Sequence, residues 1–263
     1  MKVAIIANTG LGDGLWMMIV AHNFHRHGHN VTLYNDYLYH LRSLFEVPVE
    51  LYSPPSADLI ISQQYAPGPR GERIEKETLD QSKTYVQNLR DLCITRFNLP
   101  HSTTDLGLKI PAHWRHRANP RRVILHPVTA NGWKDWPRKK FIRLATLLQN
   151  DGFEPQFVGT RQDMAHFPSP LSLDWLSLAQ FIYESGHLIG NDGSLGHLAS
   201  AFHIPTLSLF DRKSRATFWR PGWGPGNVIL PYPLLPGRFL IKKFWKQFLT
   251  VKRVHNQFCN KNI

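Results

Sequence analysis

Acidic residues are missing from the last fifth of this 263-residue sequence, where Asp211 is the final one. Residues 212–263 hold 11 Lys and Arg, so +11 of the formal net charge of +12 sits there. Residues 1–211 carry 20 Lys and Arg against 19 Asp and Glu, a nearly neutral body ahead of a basic tail. Cysteine is scarce: Cys93 and Cys259 cannot build a disulfide framework or the four-ligand cage of a structural zinc or iron site. Both read as reduced thiols, and the sequence calls for no metal and no cofactor. Long apolar runs are also lacking, since the longest, Leu15 to Ala21, stops at His22, short of the roughly 18 residues a spanning helix needs. The run Val3 to Ala7 is broken by Asn8 and Gly10 before a signal-peptide core of ~7–15 residues develops, so it reads as a strand and the expected location is cytoplasmic. Neither fixed-period repeats nor low-complexity segments occur. What remains is ordinary globular composition, 42% hydrophobic and 19% charged, enough for one large domain or two small ones.

Apolar runs alternate with helical periodicity. Lys2–Ala7 is a β-branched run of the kind buried on both faces of a parallel sheet, followed by the small-residue turn Asn8–Gly14 and a helix over 15–27. Strands follow at Val31–Tyr34 and Asp58–Ser62, then a long helical stretch over 75–98 with Leu79, Val86, Leu89, Leu92 and Ile94 inward. Pro, His, Arg and Ser between Pro100 and Pro120 have linker composition, which places a boundary near residue 118. The cycle restarts at Arg122–His126, with helices expected at 137–149, 174–184 and 194–202 and strands at 153–158, 187–190 and 206–210. The pattern predicts two α/β domains, 1–118 and 119–235, followed by a basic amphipathic helix and tail over 236–263.

Three segments could carry chemistry. Gly10-Leu-Gly-Asp-Gly14 lies where a strand feeds a helix, the place where open α/β sheets bind ligands, but Leu15 stands where a dinucleotide fingerprint needs its third glycine. Asp13 there reads either as a helix cap or as a base that takes a proton from a hydroxyl, flanked by Gly12 and Gly14 in the same loop. Gly190-Asn-Asp-Gly-Ser-Leu-Gly-His197 is a second strand-to-helix turn, whose free N–H groups and dipole favour a phosphate by ~0.3–1 kcal/mol at an exposed site. Asp192 as cap and His197 as a core histidine are the plainer readings. His126 to Pro137 is a polar loop offering Thr129, Asn131 and Lys134 at a strand end; Lys134 is either a point charge for a diphosphate or a solvated surface lysine.

Taken in order, Met1-Lys-Val-Ala-Ile-Ile…Leu-Gly-Asp13, His126-Pro…Lys134-Asp-Trp-Pro137 and Gly190-Asn-Asp…His197-Leu-Ala-Ser-Ala…Pro205-Thr resemble glycosyltransferase family 9, the ADP-heptose:lipopolysaccharide heptosyltransferases. The resemblance implies an α/β GT-B fold of two Rossmann-like domains facing a cleft, acceptor side first and nucleotide-sugar donor side second. It implies an inverting transfer of a heptose or related sugar from an ADP-sugar to a lipopolysaccharide core or lipid A acceptor, without a metal. Asp13 then corresponds to the general base, Lys134 to the lysine that neutralises the donor diphosphate, and Thr129, Asp192, Gly193, Ser194 and His197 to donor-binding positions. Where family members read Asp-Ser/Thr-Gly at the donor turn, this chain has Asp192-Gly193-Ser194, which moves the hydroxyl by one position. Two further readings stay open: another nucleotide sugar used for a different surface glycan, and a non-catalytic nucleotide-sugar-binding protein.

In the tail, 238–254 reads as one basic helix with Ile241, Phe244, Trp245 and Phe248 on its apolar face. Lys242, Lys243, Trp245 and Lys246 are the expected contacts with an anionic inner-leaflet surface, each cation adding about 1 kcal/mol. The alternative is that the apolar face packs back on the protein, on the first domain. No nucleic-acid motif accompanies the charge, so no specific nucleic acid is expected. His22, His25, His27 and His29 straddle a helix end at Gly28 and read as a solvated polar face rather than a metal cluster.

Overall fold

A computed structural model describes residues 1–52, 56–63, 71–159, 166–232 and 244–260. The chain divides into two compact units, Met1–His113 and Trp114–Ile263. The division falls ahead of residue 118 because the intervening residues are tied to the second unit. Trp114 packs against Tyr183 and Phe202, and the Arg117 N–H donates to the Tyr183 carbonyl at 3.0 Å.

In the first unit, strands β1 (Lys2–Ile6), β2 (Asn30–Tyr34), β3 (Val49–Glu50), β4 (Leu59–Ser62) and β5 (Gly71–Arg73) form one parallel sheet in the order β3-β2-β1-β4-β5. β1 is central and buried from Val3 onward, as its unbroken apolar run requires of a strand covered on both faces. Helix α1 (Leu11–Arg26) is buried from Leu11 to Phe24 except at Asp13. His22 corrects the expectation of a solvated histidine face. It is 3% exposed, with Nδ1 3.1 Å from the Asp105 carbonyl and Nε2 3.3 Å from Glu46. Helix α2 spans Asp36–Tyr39. The stretch 75–98 is not one helix: a 3-10 turn at Lys76–Thr78 precedes helix α3 (Tyr85–Thr95). The break comes from Thr84, which starts α3 through a reciprocal capping box with Gln87 and leaves Leu79 outside it. Val86, Leu89 and Leu92 point inward as read, whereas Ile94 is 42% exposed.

In the second unit, β6 (Asn119–His126), β7 (Glu154–Phe157), β8 (Ser185–Asn191), β9 (Thr206–Leu209) and β10 (Gly226–Ile229) make a parallel sheet in the order β10-β9-β8-β6-β7. Its helices among the described residues include α4 (Arg138–Asn150), α5 (Trp175–Tyr183), α6 (Ser194–Ala201), α7 (Lys213–Trp219) and α8 (Val251–Asn260). The chain end is part of this unit's core. Trp245, Leu249, Val254 and Phe258 are buried in one cluster with Trp136, Phe141 and Leu148. The helical pattern over 238–254 is interrupted at 249–250, and 238–243 lie outside the described residues.

Candidate functional site

An open parallel sheet leaves a crevice at the carboxyl ends of two adjacent strands whose outgoing connections run in opposite directions. In the second unit these strands are β6 and β8: β6 leads through α4 to β7 on one side, and β8 leads through α6 to β9 on the other. The loop after β6 carries Thr129 and Lys134, and the turn after β8 carries Asp192, Gly193 and Ser194. Sheet topology therefore gathers on one edge five positions that lie about sixty residues apart in sequence.

Lys134 Nζ lies 3.0 Å from Asp192 Oδ2, and Arg215 of α7 donates to the same oxygen. Arg215 is further oriented by Asp211, 3.8 Å from its Nε, and its guanidinium lies over the Trp133 ring, 4.7 Å from the centroid. Both cations are largely shielded from water, so their field is weakly screened. Asp192 corrects one sequence reading. It presents no cap to α6, whose N-cap is Gly193 without a side-chain bond; its carboxylate instead holds two cations that would otherwise repel each other. Counting Asp211 and its second partner Arg212, 3.9 Å away, three cations face two carboxylates, which leaves one net positive charge beside the free N–H groups of the α6 start, a combination suited to an anion.

Gly193 permits the two loops to meet. A Cβ there would stand 3.3 Å from both His126 Cε1 and Thr129 Cγ2, tighter than ordinary packing. Thr129 organises its own loop: its N–H and hydroxyl reach Asp135 Oδ1 at 3.0 and 2.8 Å. Asn191 ties loop to strand by donating to the Pro127 carbonyl at 2.6 Å and accepting from the Trp136 N–H at 3.1 Å. His197 is 4% exposed, and burial pushes its pKa down to about 4, so near pH 7 it brings a neutral ring and no charge.

The C-terminal residues hold this loop from beneath. The Trp136 indole donates to the Leu249 carbonyl at 2.9 Å, and Lys140 Nζ reaches the Lys246 and Leu249 carbonyls at 2.6 and 2.9 Å. Trp245 Nε1 donates to the Trp133 carbonyl, and Lys246 Nζ donates to the Gly132 carbonyl at 3.0 Å. These contacts correct the membrane-interface reading of Trp245 and Lys246. Trp245 is 1% exposed and serves as core for the second unit, and Lys246 is bonded to the loop. Lys242 and Lys243 lie outside the described residues. Among the described residues no helix is long and apolar enough to cross a membrane.

In the first unit the corresponding edge lies between β1 and β4. Asp13 stands in the first turn of α1, partly exposed, where the helix dipole favours a carboxylate; the N-cap is Gly10, so Asp13 is not the cap. Its carboxylate folds back over Gly10, whose Cβ would come within 2.6 Å of Oδ2. Asn35 pins the turn, donating to the Asn8 carbonyl at 2.6 Å, and Gly14 leaves room for it, since a Cβ there would meet Asn35 Oδ1 at 2.8 Å. Gly12 is buried in the same helical turn. Gln63, at the end of β4, accepts from the Asn8 N–H at 3.1 Å and donates to the Tyr85 hydroxyl at 3.0 Å. Burial and the nearby Asp13 charge push the Tyr85 phenol up to about 12, which keeps it protonated.

Sequence reasoning missed Arg215, Asp211, Gln63 and Tyr85. A signal for the first two existed in Asp211-Arg-Lys-Ser-Arg215, a charge cluster directly after a strand.

These two doubly wound parallel units define the α/β GT-B class, and the comparisons agree. The E. coli heptosyltransferase WaaC with ADP superposes with a TM-score of 0.73 at 14% identity, covering 100% of each chain. A glycosyltransferase of family 9 from Veillonella parvula gives 0.73 at 12% identity over 98% of this chain and 96% of that one. E. coli ADP-heptose lps heptosyltransferase II gives 0.69 at 14% over 100% of each. At such identities the likeness is one of fold. No curated protein sequence matches the chain. The model of glycosyltransferase family 9 (heptosyltransferase) matches residues 72–230, more than half of the sequence, and the chain belongs to that family. It is a glycosyltransferase.

Proposed function

We propose that the protein transfers a heptose or closely related sugar from an ADP-sugar to a glycolipid acceptor of the lipopolysaccharide core or lipid A type, with inversion at the anomeric carbon. The observation that carries this reading is the pairing of Lys134 and Arg215 on Asp192 beside the start of α6. A leaving nucleoside diphosphate gains negative charge as its bond to the sugar breaks, and fixed cations and N–H groups stabilise that charge without reorganising. In this reading Asp13 takes the proton from the acceptor hydroxyl while the hydroxyl oxygen attacks the anomeric carbon from the face opposite the diphosphate. One C–O bond forms, one breaks, and the electron pair leaves on the diphosphate. Lys134 and Arg215 do the charge work that a divalent ion does in metal-dependent transferases.

An acceptor of this kind brings the enzyme to the cytoplasmic face of a membrane. The described tail offers exposed cations such as Lys213 and Lys252 for that approach, with no aromatic anchor from Trp245. The test is a panel of ADP, UDP and GDP in thermal denaturation, followed by turnover of the stabilising nucleotide's heptose and an NMR reading of the product's anomeric configuration. Greatest stabilisation by ADP, turnover and inverted product support the reading. Equal response to all three removes the ADP assignment, a retained configuration removes the single displacement, and binding without turnover favours a non-catalytic binder.

A further inference from the structure

Away from the donor edge, two helices of the second unit bring three metal-ligating side chains together. Asp151 closes the C-terminus of α4, while His255 and Cys259 stand four residues apart on α8, hence on one face of that helix. His255 Nε2 is 2.7 Å from Asp151 Oδ2; Cys259 Sγ is 3.4 Å from the same oxygen and 3.7 Å from His255 Nε2. We propose that Asp151, His255 and Cys259 form a binding site for one thiophilic divalent cation of the zinc class, with water completing a four-coordinate shell.

Ligand chemistry and spacing both point this way. A thiolate, an imidazole and a carboxylate are the donors that zinc accepts, and the thiol disfavours magnesium and calcium. Bonds of ~2.0–2.3 Å in a tetrahedral shell put ligand atoms ~3.3–3.7 Å apart. Two of the three observed separations already lie at those values, and the third, a hydrogen bond, opens by about half an ångström once the ion replaces its proton. The frame is rigid, because Val254 and Phe258 on α8 pack into one buried cluster with Leu144 and Leu148 on α4. Entry is open, since the Asp151 side chain is 41% exposed. On binding, the Cys259 thiol loses its proton to solvent and forms the sulfur–metal bond; the imidazole proton moves to Nδ1, freeing the Nε2 lone pair. The ion would fasten α8, and with it the 244–250 segment that supports the Lys134 loop, to the end of α4.

The untagged, reduced full chain titrated with Co(II) and then Zn(II) tests the proposal. One equivalent of Co(II) should give thiolate-to-cobalt charge-transfer absorption in the near ultraviolet, and one equivalent of Zn(II) should abolish it. Cys259→Ser should lose that absorption, His255→Ala should weaken binding by at least ~10-fold, and Cys93→Ser, at a buried position in the first unit, should behave as wild type. Zn(II) should raise the melting temperature of the wild type and leave that of Cys259→Ser unmoved. Absence of the absorption from the wild type, or its survival in Cys259→Ser, would overturn the proposal.

Discussion

Lys134 Nζ stands 3.0 Å from Asp192 Oδ2, joining the loop after β6 to the turn after β8 across the switch point of the second sheet. Because Arg215 shares that oxygen, the carboxylate sets the spacing of two cations on an edge where helix N–H groups are also free. Removing a cation and removing its anchor should therefore have unequal effects. Lys134→Ala is expected to lower kcat/KM for the donor by ~10²–10³, the loss typical of one transition-state charge stabiliser. Asp192→Asn keeps both cations but loosens them, and a smaller loss of about 10-fold is expected. Steady-state kinetics with varied donor concentration measure both.

Asp13 should act on the chemical step alone. Asp13→Asn preserves shape and removes the proton acceptor, so kcat is expected to fall by ~10²–10⁴ with nucleotide affinity unchanged. Calorimetric ADP titration beside single-turnover kinetics checks both halves of that statement.

Gly193 tests the close approach of the two donor-side loops. Gly193→Ala adds a methyl 3.3 Å from His126 and Thr129, and its backbone is extended, so the expected effect is steric. Weaker ADP binding by about 10-fold, with a denaturation midpoint near that of the wild type, is the predicted result.

Burial lowers the pKa of both His187 and His197 to about 4, well below the 6.5 of an ordinary imidazole. Between these values the unfolded chain binds protons that the folded chain refuses. The stability these groups contribute is therefore complete above pH 6.5 and declines as pH falls towards 4, by on the order of 3 kcal/mol for each. Urea unfolding of the protein at pH 7.5, 5.5 and 4.5 should show the decline, and His187→Phe should make it shallower.

Much of this fold was legible in the sequence because apolar runs and small-residue turns mark buried parallel strands wherever they occur. β1, β2, β4, β6, β8 and β9 fall where such runs fall. The two-residue β3, the three-residue β5 and the short β10 carry too little pattern to stand out, and they take strand geometry from the neighbours they pair with. Within the site, Lys134 and Asp192 were legible from their loops, but their ion pair and its third member, Arg215, depend on β6, β8 and β9 lying side by side. The tail left two readings open for a related reason, and the one that holds is packing back on the protein, although on the second unit and not the first. Aromatic residues opposite cations look alike whether the face meets lipid or a core, and the contacts of Trp245 with the loop around Trp133 and Trp136 decide for the core. Trp245→Ala is accordingly expected to destabilise the second unit by ~3–5 kcal/mol, measured by urea unfolding.

The most direct measurement is calorimetric titration of ADP into the wild type and into a Lys134→Ala, Arg215→Ala double variant whose circular dichroism confirms folding. The wild type should bind, and the double variant should bind at least ~100-fold more weakly. Equal affinity in the two proteins would contradict the assignment of the Lys134–Asp192–Arg215 cluster as the diphosphate cradle.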